Sequence, residues 1–582
     1  MVATCQQSEV MSTRIATPFF GGLAWAIVSS TFLFATGVCA QTAQAQKGAP
    51  ASVKEDTKRE PAAPTSADSS QTPRSSQASG AADSTQTQTK SAEGTPAASA
   101  SGSGTAPAAE SPTSAPSQAA ADASGTSVST GSGLFEQSQS AAAAESTNPS
   151  SGEQARPGFE LGGYVRGDMF AGKVPDANQG AMKAGYGELA LKFRVQKEKY
   201  GDAYAEVRLR DGLQGETQST ILDVREAYVN GYFGPLDLRL GKQIIVWGRA
   251  DALNPTNNLT PNDLRVRSPI EDDRRVGNIG ARAFLNFQPF RLEGVWMPLY
   301  VASELPAYKL PDAVYFGDTR YPAPNLDKGL GAGRIHLELS AIEMSASFVH
   351  GYAPLPGLTA QSYTYGVSPT VILISRTAYE QNVVGFDFST AIGDYLGLRG
   401  EAAYRRPLGY QNKIYAPRPD LQYVLGVDHT FGSVSVIAQY LGRYIFDWHK
   451  ENGPDSTWAV SASDLAGWDT LSPTLRQQVE DTINSTLAQK NQILFGQTER
   501  IQHLVSGRIE WLTLDETLSL SALGVVNFST KEWAAFPKIS YKISDRLSTA
   551  IGGEIYRGPD NTLFGMVKDV LTAGYTELRY TF

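Results

Sequence analysis

Cysteine and histidine are nearly absent from this sequence, with two and five of 582 residues. Both cysteines, Cys5 and Cys39, lie in the N-terminal stretch read below as a cleaved leader. The mature chain therefore needs no disulfide and offers no thiolate metal site or cysteine nucleophile. The histidines are His336, His350, His429, His449 and His503, and none sits in a Ser-His or metal-binding pattern. No Gly-x-Ser-x-Gly element or phosphate-binding glycine loop precedes a helix in the right context. These absences argue against an enzyme, a cofactor and a resident metal. Long apolar runs are also missing after residue 38, so no helix is expected to span a membrane. The net charge of -9 carries no basic excess for nucleic acid.

What is present begins with a leader. Met11-Ser12-Thr13-Arg14 is a short basic start, which makes residues 1–10 a mis-assigned upstream extension. Phe19 to Val38 is uncharged and largely apolar, and Val38-Cys39-Ala40 or Ala43-Gln44-Ala45 offers a small-residue cleavage site. Residues 1–45 read as a secretory signal peptide, with a retained anchor as the alternative. Residues 46–157 are almost all Ala, Ser, Thr, Gln, Gly and Pro with scattered charge. They cannot bury enough apolar area to offset the entropy of ordering, and they read as a disordered linker. As a flexible coil such a segment spans roughly 55–60 Å. It is a spacer, or a tether that reaches the cell wall or the mouth of the following domain.

Residues 158–582 alternate with a period of two. Leu161, Gly163, Val165 and Met169 oppose Tyr164, Arg166 and Asp168, and Leu189, Leu191, Phe193 and Val195 oppose Glu188, Lys192 and Arg194. The same holds for Val207 and Leu209 against Arg208 and Arg210, for Ile335 and Leu337 against Arg334 and His336, and for Leu518 and Leu520 against Ser519 and Ser521. Val224 to Asn230 does not separate into faces, and Lys242 lands on an apolar face. Tight turns fall near Tyr200-Gly201, Gly234-Pro235, Gln288-Pro289, Ala341-Ile342, Gly393-Asp394, Gly432-Ser433, Asp515-Glu516 and Asp545-Arg546. Longer polar segments strictly alternate with them. Eight short turns and nine longer loops give eighteen antiparallel strands with both termini on the short-turn side, although sixteen also fits. This is an all-β class: a transmembrane antiparallel β-barrel. Its mean hydropathy of -0.26 suits a wall in which every second residue meets lipid. Tyr232, Phe233, Phe287, Phe290, Trp247, Trp296, Tyr300 and Trp511 lie near strand ends, as interfacial girdles do.

Strand number matters for function. Eight strands fill with side chains, whereas sixteen to eighteen leave an aqueous channel. A plugged 22-stranded transporter is disfavoured, because residues 46–157 cannot fold as a plug. By alternation Arg166, Arg194, Arg208, Arg210, Arg239, Arg282, Arg334, Arg399, Glu401 and Arg508 face the lumen and are pore-lining candidates. Either they are paired by acids such as Glu206, Asp237 and Glu338, or they set a field that favours anions.

The chain ends in Tyr580-Thr581-Phe582, where Leu578, Tyr580 and Phe582 alternate with Glu577, Arg579 and Thr581. It resembles the last strand of bacterial outer-membrane barrels, with Glu577 where glycine is common. A second marker is Gly241-Lys242-Gln243-Ile244-Ile245-Val246-Trp247-Gly248-Arg249-Ala250-Asp251, followed by Asn254-Pro255 and Asp263. It resembles a family of outer-membrane porin-like barrels, mostly of unknown function, in which a strand ending in Trp-Gly leads to an Asn-Pro loop. The resemblance implies fold and location, not a substrate. It also implies recognition of the last strand by the barrel-assembly machinery. In general porins the third external loop folds inward, which makes Trp247, Arg249, Asp251, Asn254 and Asp263 constriction-loop candidates in the segment 248–275. Asp251, Asp263, Glu271, Asp272 and Asp273 leave calcium open there, but no EF-hand spacing is present and Arg274 and Arg275 can neutralise the acids.

The loop near 451–498 should carry a helix. Ser472 can cap it, Pro473 suits its first position, Gly496 suits its stop, and Leu475, Val479, Ile483 and Leu487 form an i, i+4 stripe. The sequence thus points to an outer-membrane channel for small hydrophilic solutes, with lipid as its solvent and with homo-oligomer formation left open. A dedicated polysaccharide or substrate barrel, or an adhesive barrel without an open pore, are the alternatives.

Overall fold

The computed structural model describes residues 158–582, apart from 174–178, 198–199, 215–216, 252, 307–309, 311–313, 365–370, 394–395 and 452–469. The leader and linker lie outside the described residues. An 18-stranded antiparallel sheet closes on itself, which settles the count between sixteen and eighteen. Every barrel strand pairs with the next barrel strand along the chain. The strand Ala573–Thr581 pairs with the strand Gly158–Lys173, in register Tyr164↔Thr581 to Ala171↔Gly574. Phe582 and Gly163 exchange backbone hydrogen bonds of 3.0 Å each. Closure leaves no sheet edge unpaired.

The two faces differ as the alternation requires. Outward side chains such as Leu222 (71% exposed), Ile551 (63%), Leu240, Val384, Leu425 and Ile539 form an apolar mantle. In water this surface would be costly; against acyl chains it is not. Inward residues of the wall, including Arg166, Glu188, Arg208 and Asp387, are buried. No described helix is long and apolar enough to cross a membrane.

The short turns fall where expected, for example between Thr217–Phe233 and Leu236–Gln243 and between Leu518–Asn527 and its predecessor. Strict alternation with long loops does not hold. Strands Gly201–Gln214 and Thr217–Phe233 nearly abut, and Leu518–Asn527 reaches Glu532–Lys542 through a tight turn, so two of the connections on the long-loop side are hairpins. The unclear face at Val224 has a local cause. Between the pairs Val207↔Val224 and Glu206↔Glu226 one residue, Arg225, is extra, and this bulge turns two consecutive charged side chains inward. Lys242 stays on the outer face and reaches the bulge, donating to the Val224 carbonyl at 2.5 Å.

One aromatic assignment is corrected. Trp247 is fully buried inside the barrel and is no part of a girdle, whereas Phe233, Phe287, Phe290, Trp296 and Trp511 are exposed on the wall. Tyr300 stacks in a loop with Tyr321 and Tyr352, at centroid distances of 5.2 and 5.6 Å.

The long-loop end carries a second layer. Helix α1, Pro473–Leu494, starts as expected: the Leu475 amide donates to Ser472 Oγ at 3.3 Å, and Gly496 takes φ +60° beyond the end. Ile483 and Leu487 bury against Val314, Ile372 and Ile374 of a three-stranded sheet built from two other loops. Val479 packs on the same cluster while half-exposed, and of the expected stripe Leu475 stays exposed. Arg443 of the wall donates to the carbonyls of Phe495 and Gly496 at 2.8 and 2.6 Å, a favourable cation at a helix C-terminus. A second helix, α2 at Leu563–Leu571, was not expected. It folds into the barrel, with Phe564, Val567 and Leu571 against Phe536, Tyr556, Leu523 and Val525. Lys183 Nζ caps its far end through the carbonyls of Asp569 and Thr572 at 2.7 and 2.9 Å.

Candidate functional site

The connection between strands Leu236–Gln243 and Asn278–Phe287 enters the barrel and crosses its interior. Gly248 starts the crossing with φ +106°, a conformation that only glycine adopts readily. The Asn254 amide lies directly over it: a Cβ on Gly248 would stand 2.0 Å from Asn254 Oδ1. Asn254 Nδ2 donates to the Trp247 carbonyl at 2.7 Å, and its Oδ1 accepts from the Asn257 amide at 3.1 Å. The Trp-Gly…Asn-Pro pattern is therefore one folded turn. Trp247 then points at the wall, where its Nε1 donates to Glu293 at 3.0 Å beside Arg282 and His336.

Several further steps of the loop are tied to different parts of the wall. Arg249 Nε donates to Asp387 and its Nη1 to Glu343, both at 2.9 Å. The backbone amides of Arg249 and Ala250 both donate to Glu401. Asp251 pairs with Arg508 at 3.0 Å. Asp273 accepts from Arg166 at 2.6 Å and Arg208 at 2.5 Å. Arg267 and Arg274 reach Glu554 at 3.1 and 3.0 Å. Burial alone would raise the Asp273 carboxyl, but Arg166, Arg208 and Arg225 together hold it well below the usual carboxylate range. Asp263 behaves differently: it pairs with Arg265 two residues on, at 2.8 Å, within its own turn.

The loop acids thus face separate cations, with Asp272 on Arg275 at 2.5 Å. Among the described residues no group of three or more His, Asp or Glu is placed to hold a metal.

The lumenal candidates divide by surroundings. Arg166 has a side chain with 0% exposure and touches Asp168, Glu188, Asp273 and Glu577. Arg208 pairs with Glu206 and Asp273, Arg210 with Glu188, Arg282 with Glu293, and Arg334 with Asp387. Of the acids expected to neutralise them, Glu206 does so; Asp237 accepts instead from Asn286 at 2.8 Å, and Glu338 is exposed. Arg194 is exposed and lies over Tyr204, and Arg239 lies 4.2 Å over the Tyr228 ring. Arg399 is half-open and pairs with Asp428. Glu401 is fully enclosed by the loop it holds.

Three participants were missed from the sequence. Arg225 lies in the bulge, and the broken alternation at Arg225-Glu226 was its signal. Glu293 joins Trp247, Arg282 and His336 and carried only its inward parity. Helix α2 was signalled by Thr562 as a cap and by Phe564, Val567 and Leu571 at helical spacing.

Residues 162–269 match a family described as a protein of unknown function, DUF1302, a span that includes Trp247-Gly248 and Asn254-Pro255. No curated protein matches the sequence. Among solved structures the fold is similar to OpdK of Pseudomonas aeruginosa crystallised with vanillate (10% identity, TM-score 0.43, 73% of this chain and 98% of that chain). It is also similar to a BenF-like porin of Pseudomonas fluorescens Pf-5 (11%, TM-score 0.42, 73% and 98%) and to OccAB2 of Acinetobacter baumannii (11%, TM-score 0.41, 73% and 98%). At these values the likeness says nothing of what this chain binds or passes. Over residues 162–269 the chain is similar to a family whose function is itself unknown.

Proposed function

We propose that this protein is an outer-membrane channel for small hydrophilic solutes, narrowed by the loop 244–277. The observation that carries this reading is the contrast of faces in one closed wall. Exposed Leu, Ile, Val and Phe form the outer surface, and the inner surface is charged and crossed by a loop held through ion pairs. The first suits lipid; the second suits water and ions. In this reading the tight turns and both chain termini of the barrel face the periplasm. The strand ending in Tyr580-Thr581-Phe582 is what the assembly machinery handles. Two basic groups on the inner wall without an acidic partner among the described residues, Arg194 and Arg239, favour anions.

Planar-bilayer recording of the refolded chain tests it. Stepwise ion currents that reverse toward anion selectivity in a salt gradient are expected. A correctly folded, heat-modifiable barrel that passes no current sinks the channel reading. A second reading, a closed barrel acting through its external loops, is favoured by one fact: Arg166, Arg208, Arg282 and Arg334 are buried behind the loop. Absence of current would support it.

A further inference from the structure

The long-loop rim of the outer wall carries one surface that the channel reading leaves unused. Near that rim the adjacent strands Leu396–Pro407, Asp420–Phe431 and Val434–Ile445 carry the outward tyrosines Tyr404, Tyr423, Tyr440 and Tyr444, beside Leu421 and the exposed Ile501 of the next strand, Ile501–Thr513. Tyr404 meets Phe446 edge-on at 5.6 Å, Tyr444 meets Phe446 at 4.9 Å, and Tyr423 lies 6.1 Å from Tyr440. Below them the wall returns to exposed Leu425, Val427 and Val505.

Two arginines flank this aromatic field. Arg406 follows Tyr404 on the outward parity and is exposed. Arg500 is exposed, lies 5.3 Å over the Tyr444 ring and donates to its hydroxyl at 2.6 Å. The register Tyr404↔Leu421, Leu421↔Tyr444 and Tyr444↔Ile501 puts Arg406, two residues past Tyr404, and Arg500, one residue before Ile501, both on the loop side of this row. Three inter-strand steps separate them by roughly 15 Å. Neither makes an ion pair with any described carboxylate. The nearby Asp447 is taken by the Tyr410 hydroxyl.

Unpaired, outward guanidinium groups at the top of a lipid-facing wall are costly against acyl chains and favourable against headgroup phosphates. We propose that this face binds a phosphorylated glycolipid of the outer leaflet, with Arg406 and Arg500 on separate phosphates and the tyrosines against the sugar and acyl boundary. The span between the arginines favours a headgroup bearing more than one phosphate over a phospholipid with one. The proposal rests on the reading that the long-loop end faces outward.

Native mass spectrometry of the full chain in detergent tests it, with lipid A bearing two phosphates, its dephosphorylated form, and phosphatidylglycerol as probes. The bisphosphorylated lipid should bind about tenfold or more tighter than either other probe. Arg406→Glu with Arg500→Glu should abolish that preference, and Arg406→Lys with Arg500→Lys should keep part of it. Heat-modifiable mobility confirms that each variant folds. Equal binding of the dephosphorylated lipid, equal binding of phosphatidylglycerol, or an unchanged preference in the folded Glu variant overturns the proposal. A barrel that binds lipid A yet passes no current would sink the channel reading and leave this one standing.

Discussion

Gly248 and Asn254 occupy one volume. The Asn254 side-chain amide fills the space that any Cβ at Gly248 would need, and it carries the carbonyl of Trp247 from there. Gly248→Ala therefore meets both a steric block and a backbone at φ +106°. Such a change costs roughly 1–3 kcal/mol. Its expected effect is a displaced loop in a barrel that still forms. Single-channel conductance should rise and become noisier, and Asn254→Ala should do the same. Normal conductance in both variants would show that this turn does not set the loop's position.

The inner arginines should separate into two groups. Arg194→Gln with Arg239→Gln removes open charge and should move the reversal potential toward cations, most strongly at low salt, where screening is weak. Arg166→Gln removes the cation shared by Asp168, Glu188 and Asp273, leaving Arg208 to bridge the last two, and breaking a buried pair costs about 3–5 kcal/mol. That variant should unfold at a lower temperature on a heat-modifiability gel. Selectivity that changes with Arg166 but not with Arg194 and Arg239 would reverse the assignment.

The tie at Asp273 should be insensitive to mild acid. Its carboxyl ionises below the usual range in the folded protein. Its contribution is therefore fully present above the ordinary aspartate value of about 3.9, and is lost only as pH falls through the lower, folded value. The tie of Asp273 to Arg166 and Arg208 should hold from neutral pH to about pH 4 and loosen below that, with conductance changing in that lower range. Asp273→Asn should abolish the low-pH transition. A transition centred near neutrality in the wild-type chain would point to another group.

Helix α2 is held by an apolar face as well as by Lys183 and Glu532 at its ends. Phe564 is buried against Tyr556, with ring centroids 5.8 Å apart. Phe564→Ala should cost about 3–5 kcal/mol of the helix's docking. The wall itself should be little affected, since its strands pair independently of the helix. Proteolysis between residues 558 and 572 with an intact barrel fragment is the expected outcome. Resistance equal to wild type would show that the helix is secured elsewhere.

The wall was legible in the sequence because its signal is local and repeated. Leu189, Leu191 and Phe193 against Glu188, Lys192 and Arg194 state the two faces without tertiary information, and the turn residues state the ends. Helix α1 was legible for the same reason, through Ser472, Pro473 and Gly496. The two hairpins on the long-loop side were not, because loop length was inferred from the pattern of its neighbours. The interior resisted for a physical reason. Arg208 meets Glu206 of its own strand, but which further acid it meets depends on what the folded loop brings to it, and Asp273 arrives from 65 residues away. Trp247 looked like a girdle residue because strand-end position is local, while its burial depends on the Gly248 turn that follows it.

The bond between Phe582 and Gly163 also constrains time. The first strand cannot find its second neighbour until the last one has been made and placed. Strands that pair early must wait with two open ladders of amides and carbonyls, each a template for the wrong partner. Contacts between residues so distant in the chain form slowly, because their closure entropy comes before their reward. The final seam is therefore the step at which assembly succeeds or stalls, and weakening Tyr164↔Thr581 should slow closure more than it weakens the finished barrel.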